Sequence, residues 1–505
     1  MSIDDLIESI GLPAVELRRY LVDEVDEFLA AGDRASQDEE FGDVLFALLA
    51  TAWAHTGRHL PLDTRSFEAK IRTRLRHYGA LTRYPRKYGH DQIPEIPIGV
   101  VHFAFGQFTG QWTEFEDLKN GTVAEIHLLT EAPFRSMDAR TNQCIITFDA
   151  TDGIEYSIIQ GAPEIDSGNI LLCRIPDFMY RRAKRELRFS ALAPYLSLQV
   201  LGALDGLRII SDPIAHFHSW ESGFLTDSEE FGRTIDGAHT IFSPYLTVGG
   251  LGALMNEAAG SDWTLSPAEV GVAEAYERKL AIWSQRVVLE SERDRAFYRQ
   301  WVPDDRLEMR SFARDLQAEF PTDAPDPTRL TFVAGGRAVR EKGFVELCRE
   351  FVAVRDWATR RGIDVSLAIL CRDRRPEKGA GYIGEIERAI VEGGLGGVVA
   401  IEPKVSLDAL KRRIASASAV IAPSLYDPYC LLPTYAVEAR RPAFVSRHAG
   451  VAENIESREF TFDPLVEGDL ARSVARWFDE KPPFRFASRF PSYRGLYLET
   501  GASWA

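Results

Sequence analysis

The chain has 505 residues, 45% hydrophobic and 27% charged, which is the composition of a soluble globular protein with room for about three domains. A formal net charge of −16 argues against a general nucleic-acid or membrane-surface binder. The five cysteines, Cys144, Cys173, Cys348, Cys371 and Cys430, are scattered without metal-ligand spacing and suit a reducing compartment.

Met1-Ser2-Ile3-Asp4-Asp5 lacks a basic, apolar targeting pattern, and no apolar run approaches spanning length, so the expected location is cytoplasmic with no membrane partner. The first ninety residues read as helices. Leu17, Leu21, Val25 and Phe28 form one apolar stripe at helical spacing, and Phe41, Leu45, Leu48 and Ala52 form a second. Glu24 and Glu27 are one turn apart, as are Glu40 and Asp43, so each pair shares a helix edge. Glu24 projects into the apolar stripe, where an unpaired carboxylate is costly and a cation would relieve it. Four carboxylates from two packed helices make an oxygen-rich site suited to Mg²⁺ or Mn²⁺. The structural alternative is a solvated acidic helix face.

That spacing resembles the MazG-type all-α nucleotide pyrophosphohydrolases, whose signature is Glu-Glu-x-x-Glu, a spacer, then Glu-x-x-Asp. Here Asp23-Glu24-Val25-Asp26-Glu27 is followed, after twelve residues, by Glu40-Phe41-Gly42-Asp43, and only the first acidic position differs. Lys70 and Arg74, one turn apart on a third helical stretch, stand where the family carries phosphate-meeting cations. The resemblance implies an all-α domain over 1–90 with Glu24, Glu27, Glu40 and Asp43 as Mg²⁺ ligands. It also implies a nucleoside triphosphate as substrate and a homodimer or larger homo-oligomer paired through helices.

A proline-spaced linker, from Arg83-Tyr84-Pro85 to Ile96-Pro97, marks a domain boundary. Apolar runs at 100–105, 126–129, 144–148, 170–173, 214–218, 240–242 and 286–289 then predict strands, with helices predicted over 191–204 and 268–283. The economical reading is a doubly wound α/β domain over 98–325. A second lapse around Pro321, Pro325 and Pro327 leads to another over 328–480, with strands at 330–334, 365–370, 398–401, 419–422 and 443–446. The last two flank a polar turn and a helical pattern from Leu431 to Arg440, closed by Pro442. Residues 481–505 form an aromatic, basic tail expected to pack back.

Pro423-Ser424-x-x-Asp427-Pro428-x-x-Leu431-x-x-x-Tyr435-Ala436 resembles the donor-sugar signature of retaining GT-B glycosyltransferases of the glycogen synthase kind. Asp427 replaces the family's Glu, Cys430 its Gly, and Tyr435 holds the position eight residues on, while Ala449-Gly450 stands for a Gly pair. The shorter Asp keeps a hydrogen-bond acceptor with less reach, and two lost glycines narrow the backbone approach to a donor. His216-Phe217-His218-Ser219-Trp220 is similar to the family's strand-end motif, which implies that His218 lies over the donor sugar. A lone strand-end His is otherwise more often structural. Gly335-Gly336-Arg337 and Lys342-Gly343 resemble the pair that grips the donor diphosphate; two cations at a helix start suit a departing diphosphate. Gly249-Gly250-Leu251-Gly252 looks like an acceptor-side glycine loop but reads as an ordinary turn.

The resemblance implies a multidomain chain, all-α then two Rossmann-like α/β domains of GT-B type. It would move a sugar from a UDP-, ADP- or GDP-linked donor to an unknown acceptor, with retention and without a protein nucleophile. The implied catalytic residues are His218, Arg337, Lys342 and Asp427. Gly336, Arg337, Lys342, Lys404, Leu431, Leu432 and Tyr435 would bind the donor, and no metal is implied for this half. Two rival readings stay open: a pyrophosphohydrolase whose GT-B half senses nucleotide sugars, and a transferase whose helical domain only oligomerises.

Overall fold

The computed structural model describes residues 97–105, 142–149, 155–159, 170–176, 180, 183, 189–205, 207–244, 267–311, 329–372, 380–403, 405, 407–487, 489–491 and 496. The helical domain expected over 1–90, with Glu24, Glu27, Glu40 and Asp43, lies outside the described residues, as do Lys70, Arg74, Lys404, the strand at 126–129 and the 249–252 turn.

Two sheets organise the described chain. The first holds β1 (Pro97–Ala104), β2 (Asn142–Asp149), β3 (Glu155–Ile159), β4 (Ile170–Pro176), β5 (Arg208–His218), β6 (His239–Ser243), β7 (Arg286–Leu289) and β8 (Leu307–Met309). Their order is β3-β4-β2-β1-β5-β6-β7-β8, and every neighbouring pair is parallel except β3 with β4. The second holds β9 (Arg329–Gly335), β10 (Asp364–Arg372), β11 (Val399–Pro403), β12 (Ala419–Ala422), β13 (Ala443–Ser446) and β14 (Thr461–Phe462). It runs β11-β10-β9-β12-β13-β14, all parallel. In each sheet the strand order reverses beside its first strand, at β1/β5 and at β9/β12. The crevice beyond the carboxyl ends of such a pair is where doubly wound sheets bind ligands.

The strands follow from composition. All of β1 but Pro97 is buried, and β12 and β13 are buried throughout, as parallel strands covered on both faces must be. Four apolar residues cannot make a stable helix, but they can fill a strand between two neighbours.

The helices are α1 (Phe189–Asp205), α2 (Glu229–Thr234), α3 (Pro267–Trp283), α4 (Glu292–Tyr298), α5 (Phe344–Arg360), α6 (Ala380–Glu392), α7 (Leu407–Ser416), α8 (Leu432–Glu438) and α9 (Asp469–Glu480). Ser228 and Ser291 cap α2 and α4, each accepting a backbone N–H three residues on at 3.2 Å. Along α5, Phe344, Leu347, Phe351, Val354 and Ala358 repeat at helical spacing and are buried in the second core. On the same helix Glu350, also buried, accepts the N–H groups of Gly468 and Leu470 at 2.8 and 3.1 Å and so caps the start of α9. The first core is aromatic: Phe148 stacks on Tyr180 at 4.7 Å and Phe103 on Phe217 at 5.0 Å. Each such ring adds about 1.5–3 kcal/mol by leaving water.

The two sheets are joined by side chains from α4 and the segment after β8. Tyr426 Oη donates to Asp294 Oδ1 at 2.6 Å, and Arg293 lies 5.6 Å from the Tyr426 ring and donates to the His448 carbonyl at 3.1 Å. The Glu453 carboxylate accepts the N–H of Glu292 at 3.0–3.1 Å, and the hydroxyls of Ser311 and Tyr429 are 3.0 Å apart. The chain beyond α9 runs along this junction. Phe486 bridges Ile455, Phe490 packs on the first core, and the Pro491 carbonyl accepts the Ser311 N–H at 2.9 Å. Among the described residues no helix is long and apolar enough to cross a membrane.

Candidate functional site

At the second sheet's switch point, β9 ends at Gly335 and Gly336 follows, a 3-10 turn covers Arg340–Lys342, and Gly343 opens α5. Gly343 has φ +68°, and a Cβ there would lie 2.1 Å from the Pro423 carbonyl oxygen. Only glycine lets the loop after β12 settle on this turn. The seat is fixed by backbone bonds, Leu425 N–H to the Glu341 carbonyl at 2.8 Å and Tyr426 N–H to the same oxygen at 3.3 Å.

That docking brings Lys342 and Asp427 together across 85 residues of sequence, and Lys342 Nζ donates to Asp427 Oδ2. Their side chains are 20% and 12% exposed. Burial works against the lysine's charge, and the Asp427 carboxylate is the chief of the opposing effects that together hold the ammonium above the usual lysine range. The stem of Lys342 runs over Gly336, its Cδ 3.7 Å from where a Cβ would stand. Asp427 Oδ1 accepts the Cys430 N–H at 3.0 Å, closing the polar turn on itself.

Cys430, where the sequence resemblance expects a glycine, has φ +69°, a left-handed backbone that a side chain tolerates poorly. Burial, and then the neighbouring Asp427, push its thiol up to about 12, so it stays protonated. Gly450 is the surviving member of the expected pair. A Cβ there would stand 1.7 Å from the Pro428 carbonyl oxygen and 2.7 Å from Ser291 Cβ, so this glycine lets three segments meet. Arg337 is half exposed, 3.6 Å from Glu341, and its charge opposes that of Lys342. Leu432 and Tyr435 are buried in the second core at the start of α8, and Leu431 packs at its margin.

The first sheet's switch point holds a different group. His218 ends β5, beside β1, and the register sets His102 opposite His216 and Ala104 opposite His218. Alternation along β5 puts His216 and His218 on one face and Phe217 on the other. All three histidines are at most 1% exposed. His102 Nδ1 is 2.9 Å from His218 Nε2, His102 Nε2 is 3.0 Å from Gln143 Oε1, and His216 Nε2 is 2.8 Å from Ser243 Oγ. His216 and His218 stack at 4.0 Å. Burial drives His102 down to about 3, against a smaller opposing effect of its Gln143 bond, and drives His216 and His218 well below the ordinary value. The cluster is therefore neutral at physiological pH.

Of the residues singled out by sequence, the structure unites Lys342, Asp427, Arg337 and Gly336 at one switch point and puts His218 at the other. His102, Gln143, His216 and Ser243 were not singled out. The legible signal was the alternation His216-x-His218 and a His interrupting the apolar run of β1. A fixed cation beside an opening helix can hold a phosphate group and stabilise one that departs.

No protein-family model matches the sequence, and no curated protein matches it. Solved structures do match. A sucrose-phosphate synthase from Thermosynechococcus elongatus superposes with a TM-score of 0.53 at 16% identity, covering 80% of this chain and 97% of that one. An α,α-trehalose-phosphate synthase (UDP-forming) from Burkholderia xenovorans, in complex with glucose-6-phosphate, gives 0.52 at 11% identity, covering 76% and 92%. A trehalose-6-phosphate synthase studied with bisubstrate glycomimetics of transfer with retention gives 0.51 at 12%, covering 75% and 91%. The fold is GT-B. At these identities the likeness is one of architecture, and the GT-B frame puts the Lys342–Asp427 pair and the histidine cluster at the switch points of its two Rossmann-like sheets.

Proposed function

We propose that the chain is a glycosyltransferase that moves a sugar from a nucleotide-sugar donor to a hydroxyl acceptor with retention of configuration. The observation that carries this reading is the Lys342–Asp427 pair, locked by Gly343 at the start of a 17-residue helix on the switch point of the second sheet. Lys342 and Arg337, with the N–H groups opening α5, hold the donor diphosphate and offset its charge as it leaves. Asp427 keeps Lys342 ionised and in place. Each carboxylate oxygen can accept more than one hydrogen bond, so Asp427 can still meet a sugar hydroxyl. His218 holds the sugar from the first sheet, and the acceptor attacks on the face the diphosphate leaves. The fold neighbours, two of which are trehalose-phosphate synthases and one a sucrose-phosphate synthase, make sugars and sugar phosphates the first acceptors to try.

The test is a panel of UDP-, ADP- and GDP-sugars, screened for protein stabilisation and then for nucleotide diphosphate release with and without sugar phosphates. Stabilisation by none of them, and no release, would remove the transferase reading.

Residues 1–90 we read, on acidic spacing alone, as a nucleotide pyrophosphohydrolase domain in which Glu24, Glu27, Glu40 and Asp43 would hold Mg²⁺, with helical pairing giving a homodimer. Glu24→Gln should abolish Mg²⁺-dependent hydrolysis of nucleoside triphosphates and leave sugar transfer intact. Unchanged hydrolysis would leave only the oligomerisation role, which light scattering reads directly.

A further inference from the structure

The histidine cluster is more elaborate than a sugar contact requires. Its polar atoms form a directed chain through the interior, Gln143 to His102 to His218, with His216 laid against the last ring.

We propose that His102, held by Gln143, is a positioning residue that fixes His218 in one neutral tautomer, with the proton on Nε2 and the lone pair on Nδ1. The inference rests on the reading of His218 as a donor-site residue. The amide oxygen of Gln143 only accepts, so at 3.0 Å His102 Nε2 must carry a proton. A neutral imidazole with that nitrogen protonated has a lone pair on Nδ1. His102 Nδ1 is 2.9 Å from His218 Nε2, so His218 must be the donor of that bond. Direction passes from an amide in β2, through β1, to the end of β5, and each strand contributes one group.

The other ring completes the device. His216 stacks on His218 with 29° between planes, while its own Nε2 is tied to Ser243 Oγ in β6. It walls the ring in without bringing charge, because burial keeps all three imidazoles unprotonated. The rings also offer nitrogens within 4.8 Å of one another, a metal-ligand spacing. A zinc ion, however, needs each nitrogen about 2.0–2.1 Å away and in its own ring plane. Stacked rings hold their in-plane lone pairs side by side, and the 2.9 Å contact is that of a hydrogen bond.

The test begins with the wild-type full chain, labelled with ¹⁵N in its histidine rings, so it needs no variant to fold. The His218 signals are assigned by their loss in His218→Asn. The expected spectrum shows His218 protonated on Nε2 and bare on Nδ1 at neutral pH. A proton on Nδ1 instead would mean that the Gln143 amide faces the other way, and would overturn the proposal. Gln143→Glu, which still accepts, should keep the tautomer, and Gln143→Leu should mix the two. In turnover, His102→Leu should lower kcat roughly tenfold to a hundredfold, the usual cost of losing an orienting partner, with donor Kd little changed. His102→Asn, whose amide oxygen can accept from His218, should recover most of that loss. Unchanged kcat in His102→Leu, with a large loss in His218→Ala, would also overturn it. Zinc retained by the full chain and lost in His102→Asn would do the same. If His218→Ala turns over normally, the donor-site role of His218 fails while the tautomer result stands.

Discussion

Lys342 carries its charge where burial opposes charge, and Asp427 is what keeps it there. If its proposed work lies in the departure of a donor diphosphate, Lys342→Ala should lower kcat more than it weakens donor binding. The cost should be about 3 kcal/mol, or roughly a hundredfold in rate. Near wild-type turnover in a folded variant would sink the donor-site assignment. The buried histidines make a separate prediction, about pH. The folded value of His102, about 3, lies below the ordinary 6.5, so only the unfolded chain takes up a proton in that window. Its contribution to stability is full above pH 6.5 and is lost as pH falls towards 3. Denaturant melts at pH 6.5 and 4.5 should therefore show wild type losing about 2 kcal/mol more than His102→Asn over that interval. Equal losses would mean that His102 is not held neutral. At this scale sequence reading singled out Lys342 and Asp427, which the structure brings into contact, because each stands in a short local motif. It did not find His102 or Gln143, whose roles exist only once strands 41 and 116 residues apart lie side by side.

The turns that end β9, β12 and β13 act as one element, closed by glycines with no room for a side chain. Gly343→Ala would put a methyl group 2.1 Å from the Pro423 carbonyl in a left-handed backbone, which alone costs about 1–2 kcal/mol. The expected outcome is a larger loss of stability, read by denaturant melts, together with weaker donor binding as the Asp427 loop lifts. An unperturbed variant would show that the two loops are not seated as described. Cys430→Gly should behave oppositely, staying within about 1 kcal/mol of wild type, since relief of its φ of +69° offsets the extra freedom of the unfolded chain. Both strands flanking the Asp427 turn were legible as short runs bounded by proline, four apolar residues in β12 and three apolar residues with a serine in β13. The two-residue β14, three-residue β8 and antiparallel β3 were not, because neighbouring strands rather than their own residues decide them.

Across the described residues, the junction from α4 to the loops after β12 and β13 includes the Tyr426–Asp294 bond, and Tyr426 is next to Asp427. Tyr426→Phe leaves Asp294 with one fewer donor and should cost about 1–3 kcal/mol, the range for a buried polar group that loses a partner. Calorimetry should then resolve two transitions where wild type has one; a single unshifted transition would mean that the junction does not couple the halves. The switch points themselves have a kinetic consequence. They pair the strands farthest apart in sequence in either sheet: His102 and His218 are separated by 116 residues, and Lys342 and Asp427 by 85. Closing such loops costs entropy before any contact rewards it, so these pairs form after the shorter-range strand pairings beside them. Refolding followed by circular dichroism should therefore run ahead of recovered donor binding. During that lag the chain would hold most of its helices and strands but no assembled site.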